Sequence, residues 1–231
     1  MNQFNLIDLF AGCGGLTEGF VSSGSSYNTL AVVEWEKYPL ETLKKRLLSK
    51  WGYSDKEIFI NYDIQDIRGL QEGIKKEQFD IDVGLENLVG KNKVHLIVGG
   101  PPCQAYSLAG RAQDKFGMKQ DYRNYLFESF AKLVEIYSPE FFVFENVPGI
   151  LSAKPGGTLI TDRIREAFNS IDYEISSNLR EEALFDVSYY GVPQIRKRVI
   201  IFGAKKEYKE KISKFYGALH NKKNENQEVL K

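Results

Sequence analysis

The sequence has few cysteines, no long apolar run and no net charge. Its 231 residues include two cysteines, Cys13 and Cys103, too few for a disulfide scaffold or a four-cysteine zinc site. We expect no metal centre. No apolar run approaches the roughly 20 residues that span a bilayer, and no basic region precedes the short apolar stretch near the N-terminus, as it would in a signal peptide. We therefore expect a soluble, cytoplasmic protein without a membrane partner.

The zero net charge hides an uneven distribution of charged residues. The chain has 31 basic and 31 acidic residues. Residues 194–231 hold 11 basic and 4 acidic residues, a net charge of +7, and the rest of the chain is acidic. This basic segment is either a surface for an anionic partner or a solvated lysine-rich tail. Its last ten residues have the composition of a frayed tail or the start of a linker.

Short apolar segments alternate with longer amphipathic ones, which is typical of an α/β fold. Several of the short segments are apolar throughout, as parallel strands are when helices cover both faces of the sheet. The predicted strands are 4–9, 30–34, 94–98, 141–145 and 198–202. Apolar residues at helical spacing predict helices over 38–50 and 125–137.

The first motif is DLFAGCGGL at residues 8–16, which predicts a strand, a glycine turn and a helix. A dinucleotide fingerprint would require a third glycine at position 17, where Thr17 stands. This disfavours a nicotinamide or flavin and leaves a mononucleoside-like ligand. Glu34 ends the next strand, 22 residues after Gly12, near the spacing at which an acidic side chain accepts hydrogen bonds from ribose hydroxyls. Beside it, Trp35 could stack on a purine, and Asp63, after a third short strand, could accept from an adenine amino group.

The second motif is GGPPCQAYS at residues 99–107. Two prolines fix the backbone immediately before Cys103. A free cysteine is usually a small buried hydrophobe, but loop-forming polar neighbours at a strand end favour a nucleophile here. The weakly periodic residues 99–123 are long for a connection, which favours a functional loop, and we predict that 104–122 form a lid.

Two later motifs place charged residues beside apolar strands. Glu145 ends the strand of FENVP, where a carboxylate that is only packed would cost free energy. Arg196 and Arg198 lie in YGVPQIRKR and share one face if the segment is extended. They could pair with Glu145, with phosphates or with a base edge.

Taken in order, these motifs resemble the cytosine-5 DNA methyltransferases of bacterial restriction–modification systems. The resemblance covers residues 4 to about 204 and rests on DLFAGCGGL, VVEW, GGPPCQAYSLAGR, RNYLFE, FENVPGIL and YGVPQIRKRVIIFG. It implies a Rossmann-like, S-adenosylmethionine-dependent methyltransferase fold over residues 1–204, with a mostly parallel sheet and helices on both faces. Residues 205–231 would be a basic tail or the start of a link to a recognition domain.

The resemblance also implies roles for individual residues. Cys103 would be the nucleophile, Glu145 would contact the target base, Arg198 would touch the cytosine carbonyl, and Arg196 would help to hold the backbone. Residues matching the family's cofactor site are Phe10, Gly12, Gly14, Leu16, Glu34, Trp35, Asp63, Ile64 and Leu126. Residues placed near DNA are Gln104, Ser107, Arg111 and Gln194.

The resemblance leaves the form of the complete protein open. Complete family members continue into a target-recognition domain and a last helix beside the cofactor pocket. We expect a second polypeptide to supply both to this chain, and duplex DNA with a flipped-out cytosine to be the substrate. A truncated enzyme and a non-catalytic nucleic-acid or partner-binding module are alternatives. A tRNA cytosine-5 methyltransferase is another, although PPCQAYS is closer to the DNA form than to the PPCQPFT of that branch.

Overall fold

A computed structural model describes residues 3–24, 26–53, 58–79, 81–102 and 126–229. The described residues divide into two compact units. The first draws on Met1–Gly100 and Ser129–Glu140, and the second on Pro101–Glu128 and Phe141–Lys231. Four predicted site residues lie outside the described residues, namely Cys103, Gln104, Ser107 and Arg111, as does the proposed lid at 104–122.

The first unit is built on four parallel strands, in the spatial order β3-β2-β1-β4. They are β1 (Phe4–Leu9), β2 (Tyr27–Glu34), β3 (Phe59–Asn61) and β4 (Leu96–Gly99). β1 is buried from Leu6 to Leu9, where its sequence is mostly apolar. Because parallel strands end at the same edge of a sheet, the residues that follow β1, β2 and β3 share one edge.

Five helices contribute to the described part of the first unit, and the longest packs on the middle of its sheet. They are α1 (Gly15–Ser22), α2 (Lys37–Lys50), α3 (Ile67–Glu72), α4 (Leu85–Val89) and α5 (Leu126–Tyr137), of which residues 129–137 belong here. Leu40, Leu43 and Leu47 recur at helical spacing along α2 and pack against Val32 of β2 and Ala11.

The second unit is antiparallel and is centred on β8. Its strands are β5 (Phe141–Asn146), β6 (Tyr173–Ile175), β7 (Leu184–Asp186) and β8 (Lys197–Lys205). β8 pairs with β5 along one edge, while β7 and β6 pair with the start and the end of its other edge. The helices are α6 (Ile160–Ser170), α7 (Leu179–Glu182) and α8 (Glu210–Val229), with short 3-10 turns at Pro148–Leu151, Pro155–Gly157, Val187–Tyr190 and Lys206–Tyr208.

The α/β fold with a mixed, mostly parallel sheet confirms the expectation from the sequence. All five predicted strands and both predicted helices are present, although β2 begins at Tyr27, three residues early, and β4 ends at Gly99. The antiparallel direction of β8 was not predicted. Among the described helices, none combines the length and the apolar character needed to cross a bilayer.

The C-terminal residues, expected to be a basic tail or the start of a link, are largely helical. Helix α8 continues to Val229. Ile212 and Tyr216 are buried on one side of the helix, and Phe215 stacks on Phe202 of β8. These apolar residues recur at helical spacing among the lysines, and their burial holds the helix on the sheet. The division between domains expected at residue 204 stays a prediction.

Candidate active site

The turn after β1 has an unusual backbone. Phe10, Gly12 and Gly14 have φ angles of +59°, +55° and +87°. Such angles suit glycine but strain a residue with a side chain, and strain of this kind at Phe10 is common at ligand sites. A Cβ atom on Gly12 would meet nothing within 4 Å, whereas one on Gly14 would lie 2.2 Å from Leu43 Cδ1. The turn is therefore open at Gly12 and closed against α2 at Gly14.

The carboxylate of Glu34 is held against this turn by two backbone groups. Gly12 N–H donates to Glu34 Oε2 at 2.7 Å, and Glu36 N–H donates to Oε1 at 2.8 Å. A carboxylate oxygen can accept more than one hydrogen bond, so each oxygen keeps capacity for a hydroxyl donor. The two residues predicted to share a ligand from their spacing of 22 are thus in direct contact.

The backbone that carries Trp35 is fixed by a buried amide. Asn61 Nδ2 donates to the carbonyl oxygens of Glu34 at 3.0 Å and of Trp35 at 2.6 Å. The Trp35 side chain is nevertheless 46% exposed. Asp63 lies beyond β3 as predicted and accepts a hydrogen bond from Gln65 N–H at 2.9 Å. Asn61 was not among the predicted site residues.

Asp8 is a second residue near the turn that was not predicted from the sequence. It is fully buried in β1, and its Oδ2 accepts hydrogen bonds from both the backbone N–H (3.1 Å) and the hydroxyl of Thr17. Its Oδ1 is buried and has no hydrogen-bond partner among the described residues. Burial raises the pKa of Asp8 to about 7, against the opposing effect of the Thr17 hydrogen bonds. Thr17, which stands where the dinucleotide fingerprint has its third glycine, thus anchors α1 to β1 through Asp8.

In the second unit, the predicted residues Glu145 and Arg198 are paired. Arg198 Nε lies 2.8 Å from Glu145 Oε1, and both side chains are about three-quarters buried, with exposed fractions of 22% for Arg198 and 27% for Glu145. The antiparallel register explains the contact, because Glu145 lies opposite Ile200 and Arg198 is two residues away on the same face. Arg198 Nη1 also donates to the Lys197 carbonyl at 2.8 Å.

Asn146, beside Glu145, connects β5 to the segment before Cys103. Its buried Nδ2 donates to the Pro101 carbonyl at 3.2 Å, and its Oδ1 accepts from Val147 N–H at 2.9 Å. Pro101 is buried and Pro102 is exposed. Both polar atoms of this amide are therefore used on backbone groups. Asn146 lies in the FENVP motif, but it was not among the predicted site residues.

The remaining predicted residues differ in exposure. Ile64 and Leu126 are buried, Leu16 is half-buried, and the side chains of Gln194 and Arg196 are exposed before β8. Arg196 is held through its backbone, since its N–H donates to Asp186 Oδ1 at 3.3 Å and its carbonyl accepts from Val187 N–H at 3.0 Å. Its guanidinium is thus presented on a fixed backbone.

A cleft of about 490 Å³ lies in the first unit, away from these residues. Its lining includes Tyr27 and Thr29, at the start of β2, and Trp51 and Tyr53. None of the described predicted site residues lines it, and its described lining has no acid, amine or thiol. Its position at the opposite ends of the strands separates it from the edge that carries Glu34.

Comparison with known proteins identifies the family. Residues 4–231 match the profile of the C-5 cytosine-specific DNA methylases. The chain belongs to this family. It is 36% identical to the Type II methyltransferase M.Bpa9945I of Bacillus paralicheniformis over 87% of its length, and 35% identical to M.DdeI of Desulfomicrobium norvegicum over 88%.

Solved structures have a similar fold. A prophage-encoded E. coli protein described as a DNA modification methyltransferase superposes with a TM-score of 0.65 at 28% identity, covering 90% of this chain and 48% of that one. The Entamoeba histolytica methyltransferase EhMeth has the same fold, with a TM-score of 0.56 at 18% identity, covering 88% of this chain and 53% of that one. The Rossmann-like methyltransferase fold expected from the sequence is confirmed.

The chain spans about half the length of the curated relatives that it matches. It covers 54% of the Bacillus enzyme and 41% of the Desulfomicrobium enzyme. The family membership therefore applies to the portion that carries Glu34, Glu145 and Arg198.

Proposed function

We propose that this chain is the cofactor-binding and catalytic portion of a DNA cytosine-5 methyltransferase of the restriction–modification type. The observation that carries the proposal is the Glu145–Arg198 pair beside Asn146, whose amide holds the backbone two residues before Cys103. An acid whose neighbour in the chain holds the backbone that leads into Cys103 fits the addition of a thiol to a pyrimidine.

The residues of the first unit fit S-adenosylmethionine. The open side of Gly12 admits a ligand close to the backbone, and the two oxygens of Glu34 match the two hydroxyls of a ribose. The exposed indole of Trp35 offers a stacking surface for adenine, and Asp63 would accept from its amino group. When bound, this cofactor supplies an electrophilic methyl group.

The chemistry of the base falls to three residues of this chain. Carbon 5 of cytosine is a weak nucleophile, so we assign Cys103 to add as a thiolate at carbon 6 and push electrons into the ring. In its protonated form, Glu145 donates a hydrogen bond or proton to ring nitrogen 3, where negative charge develops, and Arg198 orients this carboxyl and the base carbonyl. After methylation, a water molecule takes the proton from carbon 5 and the Cys103 thiolate leaves carbon 6. Any proton on nitrogen 3 returns to the Glu145 carboxylate, and the ring is restored.

The target base must leave the duplex to reach these groups. We assign Gln104, Ser107, Arg111 and Gln194 to DNA contact, and Arg196 to support of the backbone near the base. Because the relatives are about twice as long, we further propose that base-sequence recognition needs residues beyond these 231, supplied by a second polypeptide. A bacterial cytoplasmic location accords with this role.

The test combines methyl transfer with covalent trapping. Tritiated S-adenosylmethionine is incubated with the chain and with duplex DNA or tRNA, with and without lysate from the source organism. Trapping uses duplex DNA containing 5-fluorocytosine, because fluorine at carbon 5 cannot leave as the proton does and the protein stays attached. The variants are Cys103→Ser and Glu145→Gln, with Cys13→Ser as the control for loss of the other thiol.

We expect methylation of DNA that requires the lysate, and a trapped adduct that Cys103→Ser abolishes and Cys13→Ser retains. Glu145→Gln should lower the rate by about 10²-fold or more, as for other groups that stabilise developing charge. Methyl transfer to tRNA and not to DNA would mean that the substrate is tRNA. Binding of DNA without transfer or trapping in any mixture would leave a binding module and overturn the proposal.

A further inference from the structure

The exposed indole of Trp35 is supported from behind by an aromatic residue from a different part of the chain. The ring centroids of Trp35 and Phe79 lie 5.8 Å apart with an interplanar angle of 89°, an edge-to-face contact. Phe79 itself is 9% exposed, so it contacts Trp35 from the interior and leaves the other side of the indole open.

Phe79 is carried on a tight turn that is locked to the structure. Its N–H donates to the Lys76 carbonyl at 3.0 Å, which closes the turn as an isolated bridge. Lys76 Nζ lies 2.5 Å from Asp66 Oδ2 and 5.3 Å from the centre of the Tyr62 ring. The turn is thereby attached to the N-terminus of α3, where Asp66 caps Gly69 N–H at 3.0 Å.

The same phenyl ring contacts Tyr62, whose ring centroid is 5.1 Å away. Tyr62 immediately precedes Asp63, its N–H donates to the Glu34 carbonyl at 3.1 Å, and its hydroxyl donates to Asp66 Oδ2 at 3.0 Å. Phe79 therefore lies between Trp35, which is assigned to stack on adenine, and Tyr62, which precedes Asp63, the residue assigned to the adenine amino group.

We propose that Phe79 is a positioning residue for the purine of the cofactor, acting through the Trp35 indole. The inference rests on the proposed function, since it takes Trp35 and Asp63 as the adenine contacts. The backbone of Trp35 is fixed by Asn61, but its side chain still has rotamers to choose from, and the edge-to-face contact selects one of them. Phe79 itself does not touch the ligand.

The test uses tryptophan as a reporter, because the chain has only two, Trp35 and Trp51. In a Trp51→Phe background the emission belongs to Trp35. Emission, near-ultraviolet circular dichroism and the Kd for S-adenosylhomocysteine are measured for Phe79→Leu, Phe79→Tyr and Lys76→Met. Phe59→Leu is the matched control, because it removes a phenyl ring from the same unit in the cluster around α2.

We expect Phe79→Leu to shift the Trp35 emission and weaken binding by about 3- to 10-fold, the scale of one aromatic contact. Phe79→Tyr should restore both values. Lys76→Met, a change at a more exposed side chain, should move them in the same direction by a smaller factor. Phe59→Leu should lower the Tm without changing either.

Three results would overturn the proposal. Unchanged emission and Kd in Phe79→Leu would reduce Phe79 to core packing, while the proposed function would stand on wild-type binding. If Phe79→Leu does not fold, an unchanged Trp35 emission and an unchanged Kd in Lys76→Met would count against the proposal. If the unaltered chain binds S-adenosylhomocysteine no better than Glu34→Gln, the reference for a disabled site, then both the proposed function and this inference fail.

Discussion

Thr17 donates two hydrogen bonds to one oxygen of Asp8, and the other oxygen of that buried carboxyl has no partner among the described residues. The first turn of α1 is thus attached to the interior of β1 by a group that is costly to ionise. An apolar strand with an acid in its middle carries a pH-dependent term in its stability.

Asp8 should make the protein less stable as the pH rises from about 4 to 7. Burial raises its pKa in the folded state from 3.8 to about 7, so the folded protein binds a proton that the unfolded chain has released. The stabilisation is complete below pH 4 and lost above 7, and amounts to about 4 kcal/mol at most, at about 1.4 kcal/mol per pKa unit. Asp8→Asn should flatten this slope in urea unfolding at several pH values.

The control for this measurement is Asp82→Asn, which removes an exposed acid from the same unit. The slope should be the same in this variant and in the wild type. A wild-type slope in Asp8→Asn would mean that Asp8 is ionised in the folded state, and would contradict the prediction.

Gly14→Ala should destabilise the first unit by about 1–3 kcal/mol. The new methyl group would meet the end of Leu43 at 2.2 Å, and the φ angle of +87° is unfavourable for alanine. Gly15→Ala is the matched control, because its Cβ meets nothing within 4 Å and its φ is ordinary. Thermal unfolding of both variants checks the prediction, and equal Tm values would contradict it.

Asn146→Asp should lower the rate of trapping on 5-fluorocytosine DNA by about 10-fold or more. The aspartate still accepts from Val147 N–H but no longer donates to the Pro101 carbonyl, so the segment before Cys103 loses its tether. The Kd for S-adenosylhomocysteine should stay unchanged. Asn178→Ala removes an exposed amide elsewhere in the same unit as a control. A full trapping rate in Asn146→Asp would show that the tether is dispensable.

Tyr216→Phe should cost about 1–3 kcal/mol, because its hydroxyl completes a gap in the sheet. β7 and β6 leave the middle of one edge of β8 unpaired. There Ile200 N–H donates to the Ala183 carbonyl at 2.8 Å, and the Tyr216 hydroxyl accepts from Phe202 N–H and donates to the Ile200 carbonyl, each at 3.0 Å. Urea unfolding is the measurement, with Tyr208→Phe as the control, since phenylalanine keeps its ring contact with Phe141. A loss equal to that of the control would contradict the role.

The sequence was most informative where strands end. Glu34 was found because it ends a second strand 22 residues after Gly12, and Glu145 was found because a carboxylate at the end of an apolar strand is rarely there for packing. Arg198 was predicted as one possible partner of Glu145, and the register confirms that choice. In each case a charged side chain stands at the end of an apolar strand, so the prediction rests on one position in the sequence.

Residues that act through distant contacts were not visible in the same way. Phe79 belongs to no periodic element, and its partner Trp35 is 44 positions away in the sequence. Asp8 offered a signal, an acid inside an apolar strand, that was absorbed into the glycine motif. Tyr216 was hidden by the lysines around it, although its spacing from Ile212 is that of a helix face.

Because β5 and β8 run in opposite directions, the end of β5, with Glu145, lies beside the start of β8, with Arg198. The position of the guanidinium therefore depends on the length of the connection that enters β8, and hardly on the residues after Lys205. Insertions between β7 and β8 should shift the arginine against its partner, whereas additions after the strand leave their geometry intact. The two ends of one strand thus differ in how much change in chain length they tolerate.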